Sequence, residues 1–104
     1  MAMLYGDMEI VFVDSALALI ESDDAGKTKL PVAVIKSARR KLTLLRSAPD
    51  ERSLRNWKSL HYEKMKGARD GERSIRLNDQ FRMVFKLSDS EPPTAMILSI
   101  EDYH

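Results

Sequence analysis

The chain has 104 residues, 43% of them hydrophobic and 32% charged, a balance that excludes an intrinsically disordered chain and leaves room for one folded domain. It contains no cysteine and only two histidines, so we expect no disulfide, no metal site and no cofactor. No apolar run reaches the ~20 residues of a membrane span, and no signal peptide is evident. These features predict a cytoplasmic protein with no membrane partner.

The net charge of +1 hides an uneven distribution of charge along the chain. Residues 36–86 contain 15 Lys and Arg against 6 Asp and Glu, whereas the two flanks together contain 2 basic and 10 acidic residues. A basic block of this kind is typical of a phosphate-binding surface. A solvated basic face with no partner is an equally acceptable interpretation of the charge pattern alone.

The first part of the chain predicts a strand followed by a short helix. Residues 1–7 precede a second methionine, and we expect them to be a disordered leader or a cloning remnant before a single domain over residues 8–104. Met8 to Val13 is rich in β-branched and aromatic residues, which predicts a strand. Asp14 or Ser15 can then cap a helix over the following apolar residues, and a polar loop covers residues 22–29.

Pro31 predicts the start of the main helix, because its missing N–H has no intrahelical partner in the first turn. Apolar residues then recur at helical spacing and form one stripe: Ile35, Ala38, Leu42 and Leu45. The cations off this stripe are candidates for contact with RNA or with an acidic partner: Lys36, Arg39, Arg40 and Arg46. Asp50 is expected to cap a short helical turn that contains Leu54 and Trp57.

The second half changes to the alternating pattern of strands, which we place at residues 62–67, 72–77, 81–87 and 95–101. Three-residue turns at 69–71 and 78–80 make the two hairpins consistent, because they place the apolar residues on one buried face. The members of this predicted face are Met65, Ile75, Leu77, Phe81, Met83, Phe85 and Leu87.

On that register the other face of the sheet is cationic: it carries Lys64, Lys66, Ser74, Arg76, Arg82 and Lys86. Arg76 lies across from Arg82, and Lys64 across from Arg76. Like charges in such positions cost ~0.2 to 1 kcal/mol per pair, which a bound anion such as an RNA phosphate would offset. Alternatively, the cations extend into water or pair with Glu63, Glu72 or Glu101, and a two-residue turn at 78–79 would remove the arginine pair altogether.

Three segments of the second half of the chain, the last of them the chain end, resemble the HigB family of the RelE/ParE superfamily. The segments are residues 66–71 (KGARDG), 74–83 (SIRLNDQFRM) and 101–104 (EDYH). The family pattern runs L-K-G-D-R-x-G-x-[YW]-S-I-R-I-N-x-x-W-R-I-x-F and ends in D-Y-H. The sequence departs from it at Ala68, Arg73 and Phe81, which stand where Asp and two aromatic residues are usual.

The resemblance implies an α+β, RelE-like fold in which an N-terminal strand and two main helices pack on a twisted antiparallel sheet of four to five strands. It also implies a toxin of a type II toxin-antitoxin system that cleaves messenger RNA in the ribosomal A site without a metal. The implied partners are the ribosome, a HigA-type helix-turn-helix antitoxin, and operator DNA through the antitoxin complex only.

For the chemistry, the resemblance implies a catalytic group formed by Lys66, Arg76, Arg82, Asp102, Tyr103 and His104. His104 is suited to proton transfer, as acid or as base, and the arginines to holding the phosphate. Further phosphate contacts are expected from Lys64, Arg69, Arg73, Ser74 and Lys86. Two other classes stay open: a ParE-like inhibitor of DNA gyrase, which needs no catalytic histidine, and a non-catalytic binding module.

Overall fold

The structure, a computed structural model, describes residues 8–102. It contains two α-helices, α1 (Val32–Ser47) and α2 (Glu51–Asn56), among these residues. The strands are β1 (Glu9–Phe12), β2 (Glu63–Lys64), β3 (Arg73–Arg76), β4 (Phe81–Leu87) and β5 (Thr94–Asp102). Short 3-10 helices lie at Leu17–Glu21, Ala25–Thr28, Lys58–Leu60 and Gly67–Arg69. No helix in this part of the chain has the length and apolar composition to cross a membrane.

The N-terminal half confirms the predicted strand and main helix and corrects the helix before them. Pro31 is the residue before α1, as expected, and Asp50 caps α2 by accepting a hydrogen bond from the Ser53 N–H at 3.0 Å. The segment after β1 forms only a five-residue 3-10 helix, because a segment this short gains few helical hydrogen bonds. Residues 8–102 therefore contain one main helix and not two. The predicted leader lies outside the described residues.

The core lies between α1 and one face of the sheet, here called the inner face. All four residues of the predicted helix stripe are buried. On the sheet, Ile75, Met83 and Phe85 are fully buried, which confirms the predicted inner face at its centre. Ser37 is buried in the same interface, where its hydroxyl donates to the Leu77 carbonyl at 2.6 Å and satisfies a polar group that would otherwise be costly.

The sheet has five strands in the order β1-β5-β4-β3-β2. Neighbouring strands are antiparallel, except that β1 runs parallel to β5, with Val11 aligned with Met96. The sheet is thus mixed and not fully antiparallel as expected. The parallel pairing joins β1 and β5, which lie far apart in the sequence, so no turn residues between them could predict it. A bulge in β5 shifts its register against β4 between Val84 and Phe85.

Of the two predicted hairpin registers, one is confirmed and one is wrong. In the β3–β4 hairpin, Arg76 pairs with Arg82 and Ile75 with Met83, as expected. In the β2–β3 hairpin, Lys64 pairs with Arg73 and not with Arg76. The connection is longer than predicted because the chain forms the 3-10 helix Gly67–Arg69 there, and Gly67 and Gly71 both have positive φ. This shift of three residues moves Lys64 away from the face that carries Arg76.

Candidate active site

The candidate site lies on the outer face of the sheet, opposite the core, where side chains from three strands form two rows. One row runs Arg76, Arg82, Glu101 across β3, β4 and β5. The row beside it runs Ser74, Val84, Ser99, and Glu63 of β2 extends it at Ser74. Because cross-strand neighbours lie about 5 Å apart, both arginines and the carboxylate belong to one electrostatic cluster.

A cleft of about 290 Å³ opens on these rows. Its lining residues are His61, Tyr62, Glu63, Ser74, Arg76 and Arg82. The Ser74 hydroxyl belongs to a buried residue and Arg76 to an exposed one, so the cleft has a covered floor and an open cationic side. Two guanidinium groups beside hydroxyl and imidazole groups are a suitable lining for a phosphodiester.

Glu101 connects Arg82 to a third arginine, Arg69. The Glu101 carboxylate accepts hydrogen bonds from Nη1 and Nη2 of Arg69 at 2.8 and 2.5 Å, and Nη2 of Arg82 lies 3.5 Å from the same group. The Arg69 side chain also donates to Glu72 at 2.8 Å. The hydrogen bonds from Arg69 lower the pKa of Glu101 to about 2, against desolvation by its partial burial. The predicted alternative, pairing of the cations with acidic residues of the chain, is therefore confirmed for two arginines. Arg69 pairs with Glu72 and Glu101, and Arg82 pairs with Glu101.

Two of the residues expected to bind phosphate lie on the inner side of the sheet. Arg73 alternates with Arg76 along β3 and points the other way, and Lys64 pairs with it at the exposed edge. Arg73 is the more buried of the two and forms an ion pair with Glu51 of α2 at 3.0 Å. The predicted placement of Lys64 on the same face as Arg76 is wrong, because the register of β2 differs from the predicted one. Phosphate binding by Lys64 and Arg73 stays a prediction.

Arg73 belongs instead to a structural network with Glu51 and Tyr62. The Tyr62 hydroxyl donates to the Glu51 carboxylate, and Arg73 Nε lies 3.1 Å from the Tyr62 oxygen. Burial and the hydrogen bond to Glu51 raise the pKa of Tyr62 to about 12. Burial disfavours the charged form of Arg73, yet its bonds to Glu51 and Tyr62 raise its pKa. This network fixes α2 against the sheet.

The other predicted contacts are distributed around the cluster. Lys86 is exposed on the outer face beyond the β5 bulge, across from Met96. Lys66 is exposed in the connection that follows β2. Asp102 ends β5 and accepts a hydrogen bond from the Gln80 side chain at 2.8 Å, one residue beyond Glu101. Tyr103 and His104 lie outside the described residues.

The cations of α1 divide into two groups. Arg39 donates to the carbonyls of Ile20 and Ser22 at 2.7 and 2.9 Å, and Arg46 forms a two-pronged pair with Glu21 at 2.5 and 2.7 Å. These two arginines fasten the 3-10 helix Leu17–Glu21 to α1. Lys36 and Arg40 are exposed, and they stay candidates for contact with a partner.

His61 is one of three cleft residues, together with Tyr62 and Glu63, that the sequence did not predict as site residues. It ends the 3-10 helix Lys58–Leu60 in a left-handed conformation, with φ of 48°. This turn brings it into the cleft with Arg76 and Arg82. Its position five residues before Lys66 was the available signal. Among residues 8–102, no group of three or more metal-ligating side chains has the geometry to hold a metal ion.

Comparison with known proteins agrees with this architecture. A sequence model of the family described as the RelE-like toxin of type II toxin-antitoxin system HigB matches residues 11–104. No curated protein matches the chain well enough to count as a relative.

Several solved structures share the fold. YafQ from E. coli superposes with a TM-score of 0.61 at 13% identity, over 91% of this chain and 92% of that one. The E. coli DinJ-YafQ toxin-antitoxin complex gives 0.60 at 14% identity, over 92% of each chain. The YoeB-YefM complex from Staphylococcus aureus gives 0.54 at 21%, over 93% of this chain and 97% of that one. At these identities the likeness concerns the fold.

Proposed function

Because the chain belongs to the HigB-like family of RelE-like toxins of type II toxin-antitoxin systems, we propose that it is an endoribonuclease that cleaves messenger RNA in the ribosomal A site. The observation that supports this most is the pairing of Arg76 with Arg82 beside the cleft on the outer face. Because translated messages are in the cytoplasm, we expect the protein to act in that compartment.

The proposed reaction is attack of a ribose 2′-oxygen on the adjacent phosphorus. The 2′-OH gives its proton to a base, the new O–P bond forms, and the bond from phosphorus to the 5′-oxygen breaks as that oxygen takes up a proton. The products are a 2′,3′-cyclic phosphate and a 5′-hydroxyl. Arg76 and Arg82 stabilise the extra negative charge of the pentavalent transition state, since donors that the sheet holds in place act strongly on developing charge.

Two histidines are candidates for the proton transfers. His104 is the one that the family resemblance implies, with Asp102 and Tyr103 as its neighbours, and Lys66 completes that group. His61 is a second candidate because it lines the same cleft as both arginines. A histidine on each side of the scissile phosphate would supply one base and one acid.

The test is to map the 5′ ends of a message in cells with and without induced protein. The message is made in a translated form and in a form whose start codon is removed. We expect new 5′ ends within codons of the translated form only, and none when Arg82→Gln replaces the wild type. Intact messages in cells that nevertheless stop growing would contradict the proposal, and loss of plasmid supercoiling in those cells would favour gyrase as the target.

We also propose a HigA-type helix-turn-helix antitoxin as the protein partner, with operator DNA bound only through that complex. Two of the similar structures are toxin-antitoxin complexes, which supports a partner of this kind. A helix-turn-helix protein encoded beside the toxin should restore growth when the two are co-expressed, and the two proteins should co-purify. Growth arrest that persists despite co-expression would contradict this assignment.

A further inference from the structure

Glu101 lies at the centre of the arginine cluster on the outer face and is held by donors from three residues. The Arg69 guanidinium approaches both carboxylate oxygens, at 2.8 and 2.5 Å. The Ser99 hydroxyl donates at 2.6 Å, and Arg82 Nη2 lies at 3.5 Å. A carboxylate bound by forked guanidinium groups and a hydroxyl has the environment that proteins also use for phosphate.

The two arginines hold this carboxylate unequally. Arg69 makes two short bonds with it, whereas the Arg82 contact is at the limit of hydrogen-bond distance. Arg82 also lies beside Arg76 in the row and lines the cleft, while Arg69 is not among the cleft residues. Of the two arginines, Arg82 is thus the one that a ligand in the cleft could take from Glu101.

We propose that Glu101 is an internal counter-ion that occupies the place of an RNA phosphate at Arg82, and that a substrate phosphate displaces it from this arginine while Arg69 and Ser99 retain it. The inference rests on the proposed ribonuclease function. Without RNA, Glu101 offsets the repulsion between Arg76 and Arg82, which are direct cross-strand neighbours. With RNA, its charge opposes binding.

The consequence is a site that binds RNA weakly by itself. A phosphate must overcome the negative potential of Glu101 before it reaches Arg82, so free RNA is disfavoured. A larger assembly that contributes contacts elsewhere on the protein can supply the missing affinity. Glu101 acts in this account through Arg82 and is a positioning residue, not one that touches the reacting atoms.

The experiment measures the dissociation constant for a short RNA whose 2′-oxygens are methylated, so that it binds but cannot be cleaved. Glu101→Gln and Glu101→Ala both remove the charge, and either variant that keeps the circular dichroism spectrum of the wild type serves as the test. Glu72→Gln is the matched control, because Glu72 also pairs with Arg69 but lies outside the row of Arg76, Arg82 and Glu101.

We expect Glu101→Gln and Glu101→Ala to bind this RNA at least tenfold more tightly than the wild type at low salt. The slope of log K against log salt should become steeper by about 0.7, the value for one further phosphate contact with a single strand. Glu72→Gln should stay within about twofold of the wild type.

Unchanged or weaker binding by a folded Glu101 variant would overturn the inference and leave the proposed function standing, because the wild type still binds. An equal gain in RNA affinity for Glu72→Gln would also overturn it. The gain would then come from the change in net charge and not from the removal of Glu101 from Arg82. No binding of RNA by the wild type or any variant would overturn this inference, because removal of the Glu101 charge would then have exposed no phosphate site at Arg82. The proposed function would still be tested separately by the mapping of 5′ ends in translated messages.

Discussion

The β3–β4 hairpin and the β2–β3 hairpin share a strand but differ in how firmly they are held. Four residues of β3 pair with β4, and Asn78 fixes the turn between them by accepting from the N–H groups of Gln80 and Phe81 at 2.8 and 2.7 Å. Only two residues of β2 pair with β3. The longer connection there passes through two glycines with positive φ, Gly67 and Gly71.

This difference decides which charges meet. The firmly held hairpin places Arg76 and Arg82 side by side on the outer face, next to the cleft. The loosely held hairpin carries Lys64 to the other side of the sheet and leaves Lys66 in the connection. The chemistry should therefore depend on the first hairpin and tolerate changes at Lys64 and Gly71 of the second, and four predictions follow.

The largest expected effect is on packing. Met83 of β4 is fully buried, so Met83→Ala should lower the free energy of unfolding by about 2–5 kcal/mol through lost burial and a cavity. Met65, after β2, is only half-buried, and Met65→Ala should cost less than half as much. Urea denaturation of the two variants measures both values. Equal losses would mean that β2 contributes to the core as much as β4 does.

The second effect is on activity. Arg82→Gln should reduce RNA cleavage about 10²- to 10³-fold, the usual loss when one donor to a transition-state anion is removed. Lys64→Gln, the matched change on the other hairpin, should stay within about twofold of the wild type. Cleavage rates with translating ribosomes and a short message give the comparison. A larger loss from Lys64→Gln would place the phosphate on the opposite face.

The third effect is on pH dependence and tests the pairing of Glu101 with Arg69 of the β2–β3 connection, whose hydrogen bonds are the main cause of the lowered pKa of Glu101. The pKa of Glu101 is lowered from its usual 4.5 to about 2, so its contribution to stability is complete above pH 4.5 and is lost as pH falls toward 2. Solvent screening at this partly exposed pair limits the loss to on the order of 1–2 kcal/mol. Thermal melts should show a smaller acid loss in Glu101→Gln, and identical acid profiles would contradict the pairing.

The smallest effect concerns the β2–β3 connection. Gly71 has φ of 97°, which side chains rarely adopt, so Gly71→Ala should cost about 1 kcal/mol of stability. RNA cleavage by this variant should stay close to that of the wild type, because the register of β3 with β4 does not depend on this turn. A loss of activity beyond the loss of folded protein would show that the connection positions the site.

The same contrast explains what could be predicted from sequence. The main helix and inner face followed from apolar spacing, and the Arg76–Arg82 pair followed from a three-residue turn that Asn78 stabilises. The β2 register could not be predicted, because apolar alternation at Met65 favoured a pairing that the 3-10 helix Gly67–Arg69 prevents. The apolar alternation predicted a short turn, whereas the chain forms a longer β2–β3 connection that has no short sequence pattern.

Long-range contacts were the other limit. The parallel pairing of β1 with β5, the use of Arg39 and Arg46 to hold the 3-10 helix Leu17–Glu21, and the Arg73 network with α2 all join distant segments. The charge pattern assigned those arginines to partners outside the chain. In the folded chain these arginines bond to backbone carbonyls and acidic residues that come close only after folding, while their contact with an external partner stays a prediction.

An NMR titration shows whether RNA binds at the outer-face cleft beside Arg76 and Arg82. Backbone amide shifts of the isotope-labelled protein are followed while the 2′-O-methylated RNA is added. We expect the largest shifts at Ser74, Arg76, Arg82 and Glu101, with little change at Lys64 and along α1. Shifts confined to α1 or to β2, with the cleft residues unmoved, would contradict it.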